Sequence, residues 1–172
     1  MKRVVFLALA LLVTLGCEKN SYRKGSPYPA AFSCDTGISP YNLLKTPGIY
    51  LSVRLNRTTG KLDITDSNGG TYHPPLTDIQ SRQFTLGLAG LILGIPSLSE
   101  NGQICAFDLG CPECDESSVR LKVDQSGNAT CPKCERVWGL NNNGIAISGK
   151  ARPLYSYSVS YNNSNGILTI VN

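Results

Sequence analysis

Apolar and polar residues alternate strictly along Ile49-Tyr-Leu-Ser-Val-Arg-Leu-Asn56. Ile49, Leu51, Val53 and Leu55 fall on one face, and Tyr50, Ser52, Arg54 and Asn56 on the other, which predicts a half-buried strand. The turn Arg57-Thr-Thr-Gly60 follows, and residues 61–65 are its expected hairpin partner. Asn68-Gly-Gly70 is a further turn. Residues 84–95 are apolar but carry Gly87, Gly90 and Gly94, which suits a strand pair or a loop packed on the core. Short strands are predicted over 104–108, 119–123, 138–140, 144–148, 154–161 and 167–171. Residues 125–128 and 141–144 are turns between them, and 162–166 closes the last two strands into a hairpin. No stretch holds a helical period, and no internal repeat is visible. The pattern predicts an all-β fold, an antiparallel sandwich of short strands.

The first residues follow another pattern. Lys2 and Arg3 precede a 13-residue, mostly apolar stretch at 4–16, too short to span a bilayer. Gly16 stands directly before Cys17, and the junction resembles a bacterial lipobox, with Thr14 where that motif has an apolar residue. Residues 1–17 are therefore expected to be a lipoprotein signal. Cys17 would be acylated and would hold the chain on a membrane through lipid alone. Ordinary signal cleavage, with Cys17 incidental, is the alternative. Residues 18–31, polar with glycine and proline, are expected to be a flexible tether, leaving 32–172 as one β domain. The expected location is the envelope of a bacterium, lipid-anchored and facing the periplasm or the cell surface, where disulfides can form.

Composition narrows the function. The 172 residues allow one ordinary domain, and a hydrophobic content of 41% is enough to build its core. Net charge falls from +4 to +2 once Lys2 and Arg3 leave with the signal, and no basic run is interleaved with aromatics. That excludes a nucleic-acid partner. Asp63, Asp66 and Asp78 are scattered through turns, and no G-x-S-x-G, H-E-x-x-H or phosphate-binding glycine loop is present. No catalytic residue is assigned, and whether the chain is an enzyme stays open.

The candidate chemistry lies in the cysteines. Cys111-Pro112-Glu113-Cys114 and Cys131-Pro132-Lys133-Cys134 are matched knuckles separated by 16 residues, and the chain has one histidine, His73. Two C-x-x-C pairs at this spacing supply four thiolates for one soft metal centre, zinc or iron. Pro112 and Pro132 stiffen each knuckle by fixing φ. Two alternatives stay open: disulfides among the four, and a redox-active dithiol. Glu113 and Lys133 are read as solvated charges. Trp138 is read as a core residue, the alternative being a residue that shields the centre from water. His73, beside Pro74 and Pro75, is read as a loop residue without a role. Cys34 and Cys105 remain. They form either a disulfide, worth about 4 kcal/mol through its loop of roughly 70 residues, or separate thiols, Cys105 being flanked by apolar Ile104 and Ala106.

The order of landmarks from residue 104 onward resembles the Rieske iron–sulfur domain. They are Ala106-Phe-Asp108, Cys111-Pro-x-Cys114, Cys131-Pro-x-Cys134, Trp138-Gly-Leu140, Gly144, Gly149, Ala151-Arg-Pro-Leu154, Tyr157 and Ile167-Leu-Thr-Ile170. The resemblance implies two ligand loops, within residues 105–140, meeting at one tip. It places Cys111 and Cys131 on the family's cysteine ligands and Cys134 on a histidine ligand. Cys114 stands one residue beyond the other histidine, and His73 matches nothing. A two-Cys, two-His cluster is therefore impossible from this chain. The resemblance then implies either a [2Fe–2S] cluster held by four thiolates, at the low end of the potential range, in an electron carrier with an unnamed redox partner, or a fold kept around zinc. A four-thiolate zinc would be structural, in a protein whose surface meets an unknown partner. The signal lacks a twin-arginine motif, so the chain is expected to cross the membrane unfolded and take up its metal afterwards, which favours zinc.

Overall fold

In the computed structural model, which describes residues 25–172 except positions 83 and 100, every strand pairing is antiparallel. The expected signal, Cys17 and residues 18–24 of the expected tether lie outside the described residues. The strands are β1 (Ala30–Asp35), β2 (Tyr50–Asn56), β3 (Lys61–Asp66), β4 (Thr71–Tyr72), β5 (Thr85–Leu86), β6 (Leu91–Gly94), β7 (Cys105–Asp108), β8 (Lys122–Val123), β9 (Asn128–Thr130), β10 (Val137–Gly139), β11 (Ile145–Ala146), β12 (Ser156–Asn162) and β13 (Ile167–Val171). Nine of them form one sheet in the order β4-β3-β2-β6-β7-β12-β13-β1-β5, and the other four form a small sheet, β11-β10-β9-β8. The expected all-β antiparallel fold is present.

The nine-stranded sheet wraps around its own core. Ser156 and Tyr157 of β12 pair with β7, whereas Ser158 to Asn162 pair with β13, so one strand serves both halves of the sheet. Leu51, Val53, Leu62, Ile64, Leu91 and Leu93 from one half meet Phe32, Leu168 and Ile170 from the other. Alternation sets this up: residues one apart in a strand face opposite sides. The second face of the same central strands carries Tyr50, Ile92 and Phe107 into a second core, shared with the small sheet. β6 therefore has no solvent face, and all four of its residues are buried. That explains its unbroken apolar run, which alternation could not resolve. The 84–95 segment does hold two strands, but they do not pair: β5 adds to β1, and β6 lies between β2 and β7. Tyr50 pairs across from Gly94, where a β-carbon would collide with the tyrosine ring. The Tyr50 hydroxyl donates to Asn141 Oδ1 at 2.8 Å, tying β2 to the turn after β10.

Two elements and one docked residue differ from the sequence reading. β1 starts at Ala30, inside the segment expected to be tether, with Ala30, Phe32 and Cys34 facing inward. Ser26 is docked as well, bonding to the Tyr157 hydroxyl at 3.0 Å and through its carbonyl to the Asn172 amide at 3.3 Å. A one-turn helix, α1 (Asp78–Arg82), also occurs. Thr77 and Gln80 bond reciprocally at its start, in the manner of a capping box. No helix among the described residues is long and apolar enough to cross a membrane.

Candidate metal centre

β7 leads through Leu109 and Gly110 into the first knuckle, and β9 leads directly into the second. The knuckles are built alike. Asp115 N–H donates to Cys111 O at 2.9 Å, and Glu135 N–H to Cys131 O at 3.0 Å. Asp115 and Glu135, each following a knuckle's second cysteine, adopt left-handed φ of 54° and 58°. Such a backbone costs a non-glycine residue about 1–2 kcal/mol and turns each loop back on its sulfurs. Backbone N–H groups then aim at sulfur: Cys114 N to Cys111 Sγ at 3.5 Å, and Lys133 N and Cys134 N to Cys131 Sγ at 3.4 and 3.5 Å.

The four sulfurs of Cys111, Cys114, Cys131 and Cys134 converge, all lying within 4.8 Å of one another. Two separations run between knuckles, Cys111 to Cys134 at 3.7 Å and Cys114 to Cys131 at 3.8 Å. All four are free thiols at these distances, not disulfides. Cys111 and Cys131 are fully buried members of the second core, and Cys114 and Cys134 are partly exposed at its tip. Together they form a site able to hold a metal ion.

Burial pushes the Cys111 and Cys114 thiols above the ordinary cysteine range. Burial acts the same way at Cys131, but the N–H groups of Cys134 and Lys133 and the neighbouring thiols outweigh it, and its pKa falls. A bound cation would displace the remaining thiol protons, so metal affinity rises with pH.

A polar clasp holds the first knuckle from outside. Arg152 N–H donates to Glu113 Oε1 at 2.8 Å, the Arg152 guanidinium reaches Pro112 O and Glu113, and Arg136 pairs with Glu113. Arg152 O accepts from Trp138 Nε1 at 2.8 Å, and Tyr155 OH donates to Asp115 Oδ1 at 2.9 Å. Trp138 is fully buried in the second core, as expected of it. Glu113 is not the solvated charge of the sequence reading, because it is partly buried and joins two arginines; Lys133 is exposed, as read, and pairs with Glu116 at the surface. Arg152 and Arg136, the partners of this clasp, were missed because they lie 39 and 23 residues from Glu113 and no local period links them.

Below the first knuckle, Asp108 is fully buried. Its carboxylate accepts from Leu88 N–H at 2.7 Å, Ala89 N–H at 3.2 Å, Gly110 N–H at 2.6 Å and Tyr157 OH at 2.6 Å. Burial raises its pKa, and these four donors oppose the rise.

The disulfide considered for Cys34 and Cys105 is not formed; both are free thiols. β12 and β13 stand between their strands in the sheet. Cys34 faces the first core, and Cys105 packs against the second. Cys105 Sγ donates to Gly94 O at 3.2 Å. Burial holds both thiols up at about 12. His73 Nδ1 lies 2.9 Å from Asp63 and is not part of the sulfur cluster. The ligand set of a two-Cys, two-His cluster therefore does not fit this site.

No protein-family model matches the chain, and no curated protein matches it.

Proposed function

We propose that this chain is an envelope lipoprotein, anchored through acylated Cys17, whose Rieske-like domain holds one structural zinc ion on Cys111, Cys114, Cys131 and Cys134. The observation that carries this reading is the mutual approach of all four sulfurs, with 3.7 and 3.8 Å between knuckles. Sulfurs around one tetrahedral ion stand about 3.8 Å apart when each zinc–sulfur bond is about 2.3 Å. A binuclear cluster splits its thiolates between two irons, and sulfurs on different irons stand farther apart than one tetrahedral edge. The spacing therefore favours a single ion over the all-cysteine [2Fe–2S] alternative. Four thiolates leave no open position, so the ion would activate no water and would serve to lock the two knuckles together. The Rieske-like reading draws support from the order of landmarks and from the two knuckles sharing one tip of an antiparallel lobe. In this reading the protein presents a partner-binding surface at the membrane and catalyses no reaction at the metal.

Elemental analysis of protein purified from its native envelope tests the proposal. One zinc per chain and no visible absorbance are expected. Two irons with acid-labile sulfide and a brown colour would contradict it.

A further inference from the structure

A cleft of about 660 Å³ opens beside the first knuckle, between the end of β2, the loop joining β5 to β6, and the segment that leaves the knuckle toward β8. Three arginines line it, Arg54, Arg57 and Arg120. The one carboxylate in its wall, Asp63, is already shared between Arg54 at 2.8 Å and His73 at 2.9 Å. Arg57 and Arg120 have no carboxylate partner among the described residues. Arg120 Nε donates to Ala89 O at 3.3 Å, which holds the guanidinium at the cleft wall, and its outer N–H groups have no acceptor among the described residues. Like charges gathered in a concave site repel one another, and an anion placed among them relieves that cost. The planar guanidinium fork matches the paired oxygens of a carboxylate or phosphate. Ser117, Ser118 and Thr85 add hydroxyl groups, and Phe84, Leu86 and Leu88 add apolar wall. That combination suits a charged head on an apolar body.

We propose that this cleft binds a small organic anion, a carboxylate or phosphate carried on an apolar group. Arg57 and Arg120 are the principal contacts, and Arg54 is partly neutralised by Asp63. The site does not depend on which metal the knuckles hold.

Amide NMR of the full-length, metal-loaded protein, titrated with phenyl phosphate and with benzoate against sodium chloride at matched ionic strength, tests the proposal. Saturable shifts are expected at Leu88, Ala89 and residues 117–120 with at least one of the two anions and not with chloride. The double variant Arg57→Gln/Arg120→Gln should bind about tenfold more weakly or worse. Arg57 makes no hydrogen bond or ion pair among the described residues, so Arg57→Gln alone serves if the double variant does not fold, and it should weaken binding about threefold. Absence of saturable shifts at these amides with both anions, equal shifts with chloride, or unchanged binding in the variants would overturn the proposal.

Discussion

The first core draws Leu51, Val53, Leu62, Ile64, Leu91 and Leu93 from strands four to seven residues long, whereas the small sheet that closes the second has strands of two or three. Each fully buried aliphatic side chain contributes about 1.5–3 kcal/mol, and leucine, isoleucine and valine make up most of the first core. The second spends two buried positions on Cys111 and Cys131. A sheet of such short strands is marginal on its own, and small lobes of this kind are held by a covalent or metal staple. The difference teaches that one half of the molecule rests on apolar burial, whereas the other, in the proposed reading, rests on burial plus coordination. In that reading the metal would be part of the second core rather than an addition to it.

The sharpest way to break this comparison is to remove the metal. Chelation, or Cys111→Ser, should abolish amide protection in β8 to β11 while β2, β3 and β6 stay protected. The loss in the small sheet should approach the roughly 10 kcal/mol that structural zinc contributes in small domains. Equal protection in both sheets after chelation would show that the second core stands alone.

Paired truncations come next. Trp138→Ala and Leu93→Ala should each cost about 3–5 kcal/mol, with different consequences. The tryptophan variant should release metal faster to a chelator, because Trp138 Nε1 holds the Arg152 carbonyl beside the first knuckle. The leucine variant should lower the main thermal transition and leave metal release unchanged.

Asp108→Ala acts at the joint between the halves. It strips an acceptor from Leu88, Ala89, Gly110 and Tyr157 and should cost about 2–3 kcal/mol in denaturant titration. Both sheets should weaken together, unlike either truncation.

The smallest effect concerns acid. Burial pushes the Asp63 carboxyl up, but hydrogen bonds from His73 and Asn56 and the Arg54 charge outweigh it and hold its pKa below the usual range. A depressed folded pKa gives stability that is present above the unfolded value of about 3.9 and lost as pH falls through the folded one. The first core of wild type should therefore lose stability below about pH 4, and Asp63→Asn should blunt that loss by under about 1 kcal/mol.

Residues whose environment is set by near neighbours were legible in the sequence. The Ile49–Asn56 alternation gave β2, the 61–65 partner gave β3, and the two C-x-x-C spacings placed all four sulfurs. The turn at 162–166 joined β12 and β13 as expected. What stayed hidden depends on distant chain. β1 is small and mildly polar, Ala-Ala-Phe-Ser-Cys-Asp, and becomes a strand because β13 and β5 flank it. Tyr50, placed on the polar face by alternation, is fully buried because a second lobe covers that face. The Cys34–Cys105 bridge failed for a similar reason, since elimination among cysteines ignores which core each side chain enters. Glu113 looked solvated because Arg136 and Arg152 come from other elements.

X-ray absorption at the metal edge of envelope-purified protein tests the central claim most directly. A first shell of four sulfurs at about 2.3 Å, with no second metal nearby, is the predicted result. A metal–metal distance, or oxygen or nitrogen in place of any sulfur, would contradict the account.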